Sequence, residues 1–282
     1  YNYGLTNKKN KGLFKQMKRY IVIGNPIEHS LSPLLHNYWI GKNNIKAIYN
    51  KILINKDEIE KIISDIRSEK IHGVNVTVPF KNEVVSFMDI LTKEAEETKS
   101  VNTIYLKDQK IIGHNTDIAG FELAIRSYGY DVKKKNIFIF GAGGVVPSII
   151  VALKRMGALK IFLYNRTLTK SENIKKFFNT IEIIDKDNIP EDIDMLINAS
   201  SLGINKTDKI DLNYDKIGKN KFYYDVIYNP TETNFLMEAK KVGNKVENGK
   251  KMFIYQAHQA FAIWHNVFPK IDEKVEGLLN KQ

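Results

Sequence analysis

Short apolar runs alternate with longer amphipathic stretches along nearly the whole chain. A chain that returns repeatedly from helix to strand builds a mostly parallel α/β sheet, because parallel neighbours need a long crossover between them. Strands are predicted over 19–23, 47–54, 71–78, 101–106 and 110–114, with helices over 33–41, 56–69, 81–90 and 117–128. A second series opens at Asn136-Ile-Phe-Ile-Phe140. It continues as helix 144–156, strand 160–164, helix 169–178, strands 181–184, 194–198 and 222–226, helix 232–242 and a short strand 244–246. Residues 252–268 have helical periodicity and meet no proline until Pro269. Two such series in 282 residues predict two α/β domains, divided near the helix at 117–128.

The absence of cysteine excludes disulfides, thiolate nucleophiles and cysteine-ligated zinc, and is compatible with a cytoplasmic setting. No apolar run is long enough to cross a bilayer, and the first twenty residues lack the apolar core of a secretory signal. The net charge of +11 raises the question of nucleic acid. Six of the basic residues (Lys8, Lys9, Lys11, Lys15, Lys18 and Arg19) lie in the first nineteen positions, with no acid among them. The remainder is lysine scattered among acids, without a basic stripe interleaved with aromatics, so no nucleic-acid partner is expected. Residues 1–16 read as a tail or an expression remnant, with Met17 as the native start.

Gly141-Ala142-Gly143-Gly144 follows the strand 136–140 and precedes a helix. Glycines there let the backbone approach a pyrophosphate whose charge sits on the helix N-terminus. Val146 stands where a fully matched motif has its third glycine, and a ligand-free turn is the alternative reading. The next strand ends in Asn165-Arg166-Thr167, where an NAD site places an acid on the ribose hydroxyls. A guanidinium suits a 2′-phosphate instead, which favours NADP, although a surface arginine at a strand end would look the same. Asn198-Ala-Ser200-Ser-Leu-Gly203 is a small polar loop at a strand end, suited to a nicotinamide ribose.

In the first half, Ser30 and Ser32 precede Pro33. Ser32 fits the helix N-cap and Pro33 the first helical position. Capping would account for Ser32 but not for Ser30, and two hydroxyls at a helix start can hold a carboxylate. In Gly73-Val-Asn75-Val-Thr77-Val-Pro79-Phe-Lys81 the period of two puts Asn75 and Thr77 on one face. Lys81 opens the helix expected at 81–90, where a cation opposes the dipole; a solvated surface charge is the alternative. Asp117 also opens a helix, where its charge is favourable in any case. Asn102, Gln256 and Gln259 are further polar candidates, whereas His114, His258 and His265 read as packing or surface residues.

Gly24-Asn-Pro-Ile-Glu-His-Ser30-Leu-Ser32-Pro33, Asn75 to Lys81, Val101-Asn102-Thr103, Asn115-Thr116-Asp117, the glycine turn, Asn165-Arg166-Thr167 and Gln256-Ala257 together resemble shikimate dehydrogenase, in its order and spacing, over residues 17 to about 275. The resemblance implies a discontinuous substrate-binding domain, residues 17–116 plus 248–282, around a Rossmann-type NADP-binding domain, residues 117–247. It implies reversible, NADPH-dependent reduction of 3-dehydroshikimate to shikimate, in the biosynthesis of chorismate and the aromatic amino acids, by a cytoplasmic monomer or homodimer. By that pattern Ser30 and Ser32 hold the carboxylate, Asn75, Thr77, Asn102, Asp117 and Gln256 address the hydroxyls and carbonyl, and Tyr228 lines the site. Lys81 and Asp117 form the proton-transfer pair. Gly141, Ala142, Gly143, Gly144, Asn165, Arg166, Thr167, Lys170 and Ser200 meet NADP(H), and no metal is implied. Lys170 stands where many members have a second arginine, Val146-Pro147 follow the glycine turn, and Asn248-Gly-Lys-Lys-Met252 replaces Asp-Gly-Leu-Gly-Met. A quinate/shikimate dehydrogenase with relaxed cofactor use and a non-catalytic NADP-binding regulator are the alternatives.

Overall fold

The computed structural model describes residues 17–280, so the segment read as a tail lies outside the described residues. In chain order the elements are β1 (Lys18–Gly24), α1 (Ser32–Lys42), β2 (Ala47–Leu53), α2 (Ile59–Arg67), β3 (Gly73–Val76), β4 (Ile90–Leu91), α3 (Lys93–Thr98), β5 (Thr103–Lys107), β6 (Lys110–His114) and α4 (Asp117–Ser127). There follow β7 (Asn136–Phe140), α5 (Val146–Arg155), β8 (Lys160–Tyr164), α6 (Leu168–Phe177), β9 (Glu182–Ile183), β10 (Met195–Asn198), α7 (Tyr214–Ile217), β11 (Phe222–Asp225), α8 (Asn234–Lys241), β12 (Lys245–Glu247), α9 (Lys250–His265) and α10 (Glu273–Leu278).

The strands form two six-stranded sheets. The first has the order β2-β1-β3-β5-β6-β4, and β5 alone runs against the other five. The second is wholly parallel, in the order β9-β8-β7-β10-β11-β12. Renumbered within that sheet, this is the 3-2-1-4-5-6 order of a doubly wound nucleotide fold, which reverses between β7 and β10. Ile21, Ile23, Val74 and Ile104 pack with Ile59, Ile62, Ile63 and Ile66 of α2 on one face of the first sheet. On its other face Tyr20 and Val22 meet α1 and α9 through Leu35, Trp39, Ile254 and Phe261. The second sheet has α4, α5 and α6 on one face and α8 on the other. Met252, at the start of α9, belongs to the second sheet's core, whereas Ile254 and Phe261 belong to the first's. Gly120 is required where α4 crosses α9: a Cβ there would lie 3.0 Å from both the Gln256 nitrogen and the Met252 carbonyl oxygen.

The expected helix over 81–90 does not form. Residues 83–87 make a 3-10 helix, and Ile90–Leu91 join β6 as a short strand. The Asp89 carboxylate accepts the Ile111 N–H at 2.7 Å while its own N–H reaches the Ile111 carbonyl, so edge pairing wins over helical periodicity. Lys81 therefore lies in the turn that leaves the sheet, not at a helix start. The helix after the glycine turn starts at Val146, not at 144, with Pro147 in its first turn.

His36 is fully buried, with no partner on either ring nitrogen, and stacks on Tyr49 with ring centroids 4.2 Å apart. Burial pushes its pKa down to about 3, and that of His265, in the same aromatic group, down to about 4. A histidine lowered on folding leaves the unfolded chain holding the extra proton below about pH 6.5, so its stabilisation is lost as pH falls. Asp225 acts oppositely: burial raises it to about 6, so the folded chain gains the proton first. Two histidines outweigh one carboxyl, and the denaturant midpoint should fall between pH 7 and 5. His36 alone should contribute a loss of about 2 kcal/mol over that interval. His36→Phe should flatten the dependence; an unchanged slope would show that His36 carries a proton in the folded state.

Candidate active site

β1, β3 and β6 run in one direction, so the segments after them leave the first sheet along one edge. β5 runs the other way, so the residues before it lie at the same edge. This brings Ser30 and Ser32, Thr77 and Lys81, Asn102, and Asn115 and Asp117 together from separate parts of the chain. Lys81 Nζ lies 2.6 Å from Asp117 Oδ2, with the side chains only 13% and 7% exposed. The other carboxylate oxygen accepts Asn102 Nδ2 at 2.9 Å, and the Lys81 carbonyl accepts the Val101 N–H at 2.8 Å. Asn102 Oδ1 accepts the Thr116 N–H and Asn115 Oδ1 accepts the Asp117 N–H, at 2.8 and 2.9 Å. The ammonium and carboxylate are thus both drawn from water and held by bonds to their own neighbours. An ammonium so placed can donate to a developing alkoxide, with the carboxylate fixing its direction.

Asn75 is buried in β3. Its amide donates to the Asn102 carbonyl and to Thr103 Oγ1, and its oxygen accepts the Tyr49 hydroxyl at 2.7 Å. Burial pushes the Tyr49 phenol well above its usual pKa, while the neighbouring Ser32 hydroxyl acts in the opposite direction. Ser32 is not the N-cap. Leu31 takes that position in αR geometry, Ser32 is the first helical residue and Pro33 the second, and no side chain caps the helix. Instead the Ser32 N–H points to Ser30 Oγ at 3.4 Å. The stability role expected for Ser32 through capping therefore has no bond to carry it. Gln256 donates to the Phe253 carbonyl from α9, close over Gly120 of α4. Tyr228 stacks on Phe253 at 4.7 Å, and burial raises its pKa to about 12.

At the switch point of the second sheet, Gly141 has φ +102°, and a Cβ there would lie 2.7 Å from the Ala199 carbonyl and 2.8 Å from the Ser200 nitrogen. The β7 and β10 ends are therefore in backbone contact, with Gly143 and Gly144 open beside them. Ala142 is partly buried against the core. Ser200 bonds Asn198 Oδ1 through both its N–H and its hydroxyl, at 3.0 and 2.7 Å. Asn198 in turn meets both oxygens of Asp225 at 3.1 Å, and Asp225 accepts Thr233 Oγ1 and the Ile227 N–H. One buried carboxylate so ties together the loops after β10 and β11. Asn165 Nδ2 closes its own turn on the Thr167 carbonyl at 2.8 Å, and Arg166, Thr167 and Lys170 are exposed around it. Neither Arg166 nor Lys170 forms an ion pair with any described residue. Two uncommitted cations without an acid at this strand end fit a dinucleotide that carries an extra phosphate.

Sequence reading gave Tyr49 and Asp225 no role, and it placed Asn115, Thr116 and Asn198 in site motifs without the bonds they make here. Tyr49 gave no signal, because its partner is 26 residues away. Asp225 lies at a strand end and was open to notice on that ground. His258 bonds the Pro269 carbonyl and His265 packs on Tyr20 and Phe261, both structural as read. Among the described residues no group of three or more His, Asp or Glu is arranged for a metal ion.

A doubly wound sheet with this switch point, next to a buried ammonium–carboxylate pair, defines a dinucleotide-dependent oxidoreductase. Residues 22–104 match the shikimate dehydrogenase substrate binding domain, and the chain is 56% identical over 263 residues to a shikimate dehydrogenase (NADP+) of Pelagibacter ubique, covering 93% of this chain and 99% of that one. The chain belongs to the shikimate dehydrogenase family. A crystal structure of shikimate dehydrogenase from Aquifex aeolicus is similar with a TM-score of 0.87 at 34% identity, covering 95% of this chain and 99% of that one. The enzyme of Thermus thermophilus, crystallised with NADP(H) and shikimate, is similar with a TM-score of 0.84 at 26% identity, covering 94% of this chain and 98% of that one.

Proposed function

We propose that this chain reversibly reduces the ketone of 3-dehydroshikimate to the hydroxyl of shikimate with NADPH, and that Lys81 and Asp117 are its proton-transfer pair. The observation that carries the reading is the 2.6 Å Lys81–Asp117 pair, nearly removed from water at the edge where the polar side chains converge. The bound nicotinamide supplies the hydride. Lys81 Nζ donates a proton to the carbonyl oxygen, and Asp117 Oδ2 accepts from the ammonium and keeps it aimed. Asn102 holds Asp117 Oδ1, so the carboxylate cannot rotate away. Ser30 and Ser32 hold the substrate carboxylate, and Asn75, Thr77, Asn102 and Gln256 meet the ring hydroxyls, with Tyr228 closing the wall. Fixing the ring in this way selects the face that receives hydride.

The cofactor half consists of residues 117–247, and the substrate half of 17–116 with 248–282. Gly141 to Gly144 and Ser200 receive the pyrophosphate and ribose, Asn165 and Thr167 flank the adenosine, and Arg166 with Lys170 receives the 2′-phosphate. Among the described residues no helix is long and apolar enough to cross a membrane. The protein works in the cytoplasm as a monomer or a homodimer. The test is oxidation of NADPH by the purified chain with 3-dehydroshikimate; turnover is expected, and its absence with an intact fold would overturn the reading.

Arg166→Ala should raise the KM for NADPH much more than that for NADH. A charge-assisted bond to phosphate contributes about 1.5–3 kcal/mol, so the loss should be roughly ten- to a hundredfold for NADPH. Equal changes for both cofactors would show that Arg166 does not meet the phosphate.

A further inference from the structure

α5 is fastened to the substrate half at both ends. At its outer end Arg155 pairs with Glu97 at 2.7 Å and Glu94 at 3.7 Å, on the surface. At its inner end, one turn after the glycine loop, Ser148 is fully buried and meets Asn115, which is 1% exposed. Ser148 Oγ lies 3.0 Å from Asn115 Nδ2 and 3.3 Å from Oδ1. Nδ2 also faces Thr98 Oγ1 and the Ser100 carbonyl, both at 3.1 Å, and Oδ1 accepts the Asp117 N–H at 2.9 Å. An amide has two hydrogens to give. The arrangement that satisfies every group has Nδ2 donating to Thr98 and Ser100. The Ser148 hydroxyl then donates to Oδ1, the same oxygen that holds the backbone of Asp117.

We infer that Ser148 is a positioning residue that, through Asn115, couples the nucleotide-binding turn to the Lys81–Asp117 pair. The inference rests on the reading of the site given above. The first turn of α5 is where a pyrophosphate charge would act on the helix. A displacement of that turn moves Ser148, and Ser148 moves the oxygen to which Asp117 is tied. Buried groups of this kind have few alternative partners, so the displacement is passed on and not absorbed by solvent. Arg155 fastens the same helix without touching Asn115, and so separates docking of α5 from coupling.

The test is thermodynamic linkage between NADPH and shikimate, which are both reduced and so bind together without turnover. NADPH is titrated by its fluorescence with and without saturating shikimate, and the ratio of the two Kd values measures the coupling. The wild type should show a ratio of about fivefold or more. Ser148→Ala should bring it to within about twofold of unity and lower kcat by about tenfold, with each KM changing less. Arg155→Ala should keep the wild-type ratio and kcat. If Ser148→Ala does not fold, Ser148→Cys, close in size and a weak donor, gives the same readout. A lower melting temperature with an unchanged ratio, an equal loss in Arg155→Ala, or no coupling in the wild type would each overturn the inference. Wild-type turnover of 3-dehydroshikimate is measured first, so failure of the functional reading and failure of this one are distinguishable.

Discussion

Lys81→Ala should lower kcat for 3-dehydroshikimate by about a hundredfold or more, because it removes the group proposed to protonate the carbonyl oxygen. The affinity for NADPH should hardly change, since the residues proposed to meet the cofactor follow β7, β8 and β10 in the other sheet. Asp117→Asn should be similarly damaging for a different reason. Asp117 now accepts from a donor on each oxygen, Asn102 on Oδ1 and Lys81 on Oδ2. An amide must turn its NH2 toward one of them and set donor against donor, so it cannot hold both. Near-normal kcat with a raised KM in Lys81→Ala would make Lys81 a binding residue only.

Gly141→Ala should damage both stability and the nucleotide site. The residue has φ +102°, which a side chain resists, and its new Cβ would meet the backbone of Ala199 and Ser200 at 2.7–2.8 Å. Neither neighbour is a flexible side chain that can swing aside, so the ends of β7 and β10 must part. Left-handed strain costs about 1–2 kcal/mol and overpacking about 1–3 kcal/mol. The unfolding free energy should fall by the sum, about 2–5 kcal/mol, and the affinity for NADPH by at least tenfold. Calorimetry and NADPH titration check the two effects. A variant with wild-type affinity would show that this contact does not shape the nucleotide site.

Much of this architecture was legible because buried strands announce themselves. Asn136–Phe140 and Lys160–Tyr164 stand at the predicted positions, since each is an apolar run bounded by turn residues. α3 escaped notice: Lys93-Glu-Ala-Glu-Glu-Thr98 buries only Ala95 and Thr98, too few for a helical period. The helix expected after Lys81 failed for the opposite reason, since its apolar spacing suits a helix but Asp89 commits the chain to β6. In the site, Lys81 and Asp117 were readable as strand-end residues on a shared sheet edge. The bonds that position them were not. Asn102 meets Asp117 across 15 residues and Asn115 meets Ser148 across 33, and no local pattern reports which buried amide faces which partner. Ser32 shows the limit of cap rules, because its sequence fits an N-cap and the backbone of Leu31 takes the place.

The central claim is that Lys81 and Asp117 act as one proton-donating unit in an NADPH-dependent ketone reduction. A double-mutant cycle on kcat tests it most directly, with Lys81→Ala, Asp117→Asn and the double variant assayed on 3-dehydroshikimate. The account predicts that the double variant is about as slow as the slower single, because the second change removes a group that no longer has a function. Losses that multiply would mean that the two residues act independently, and would contradict the account.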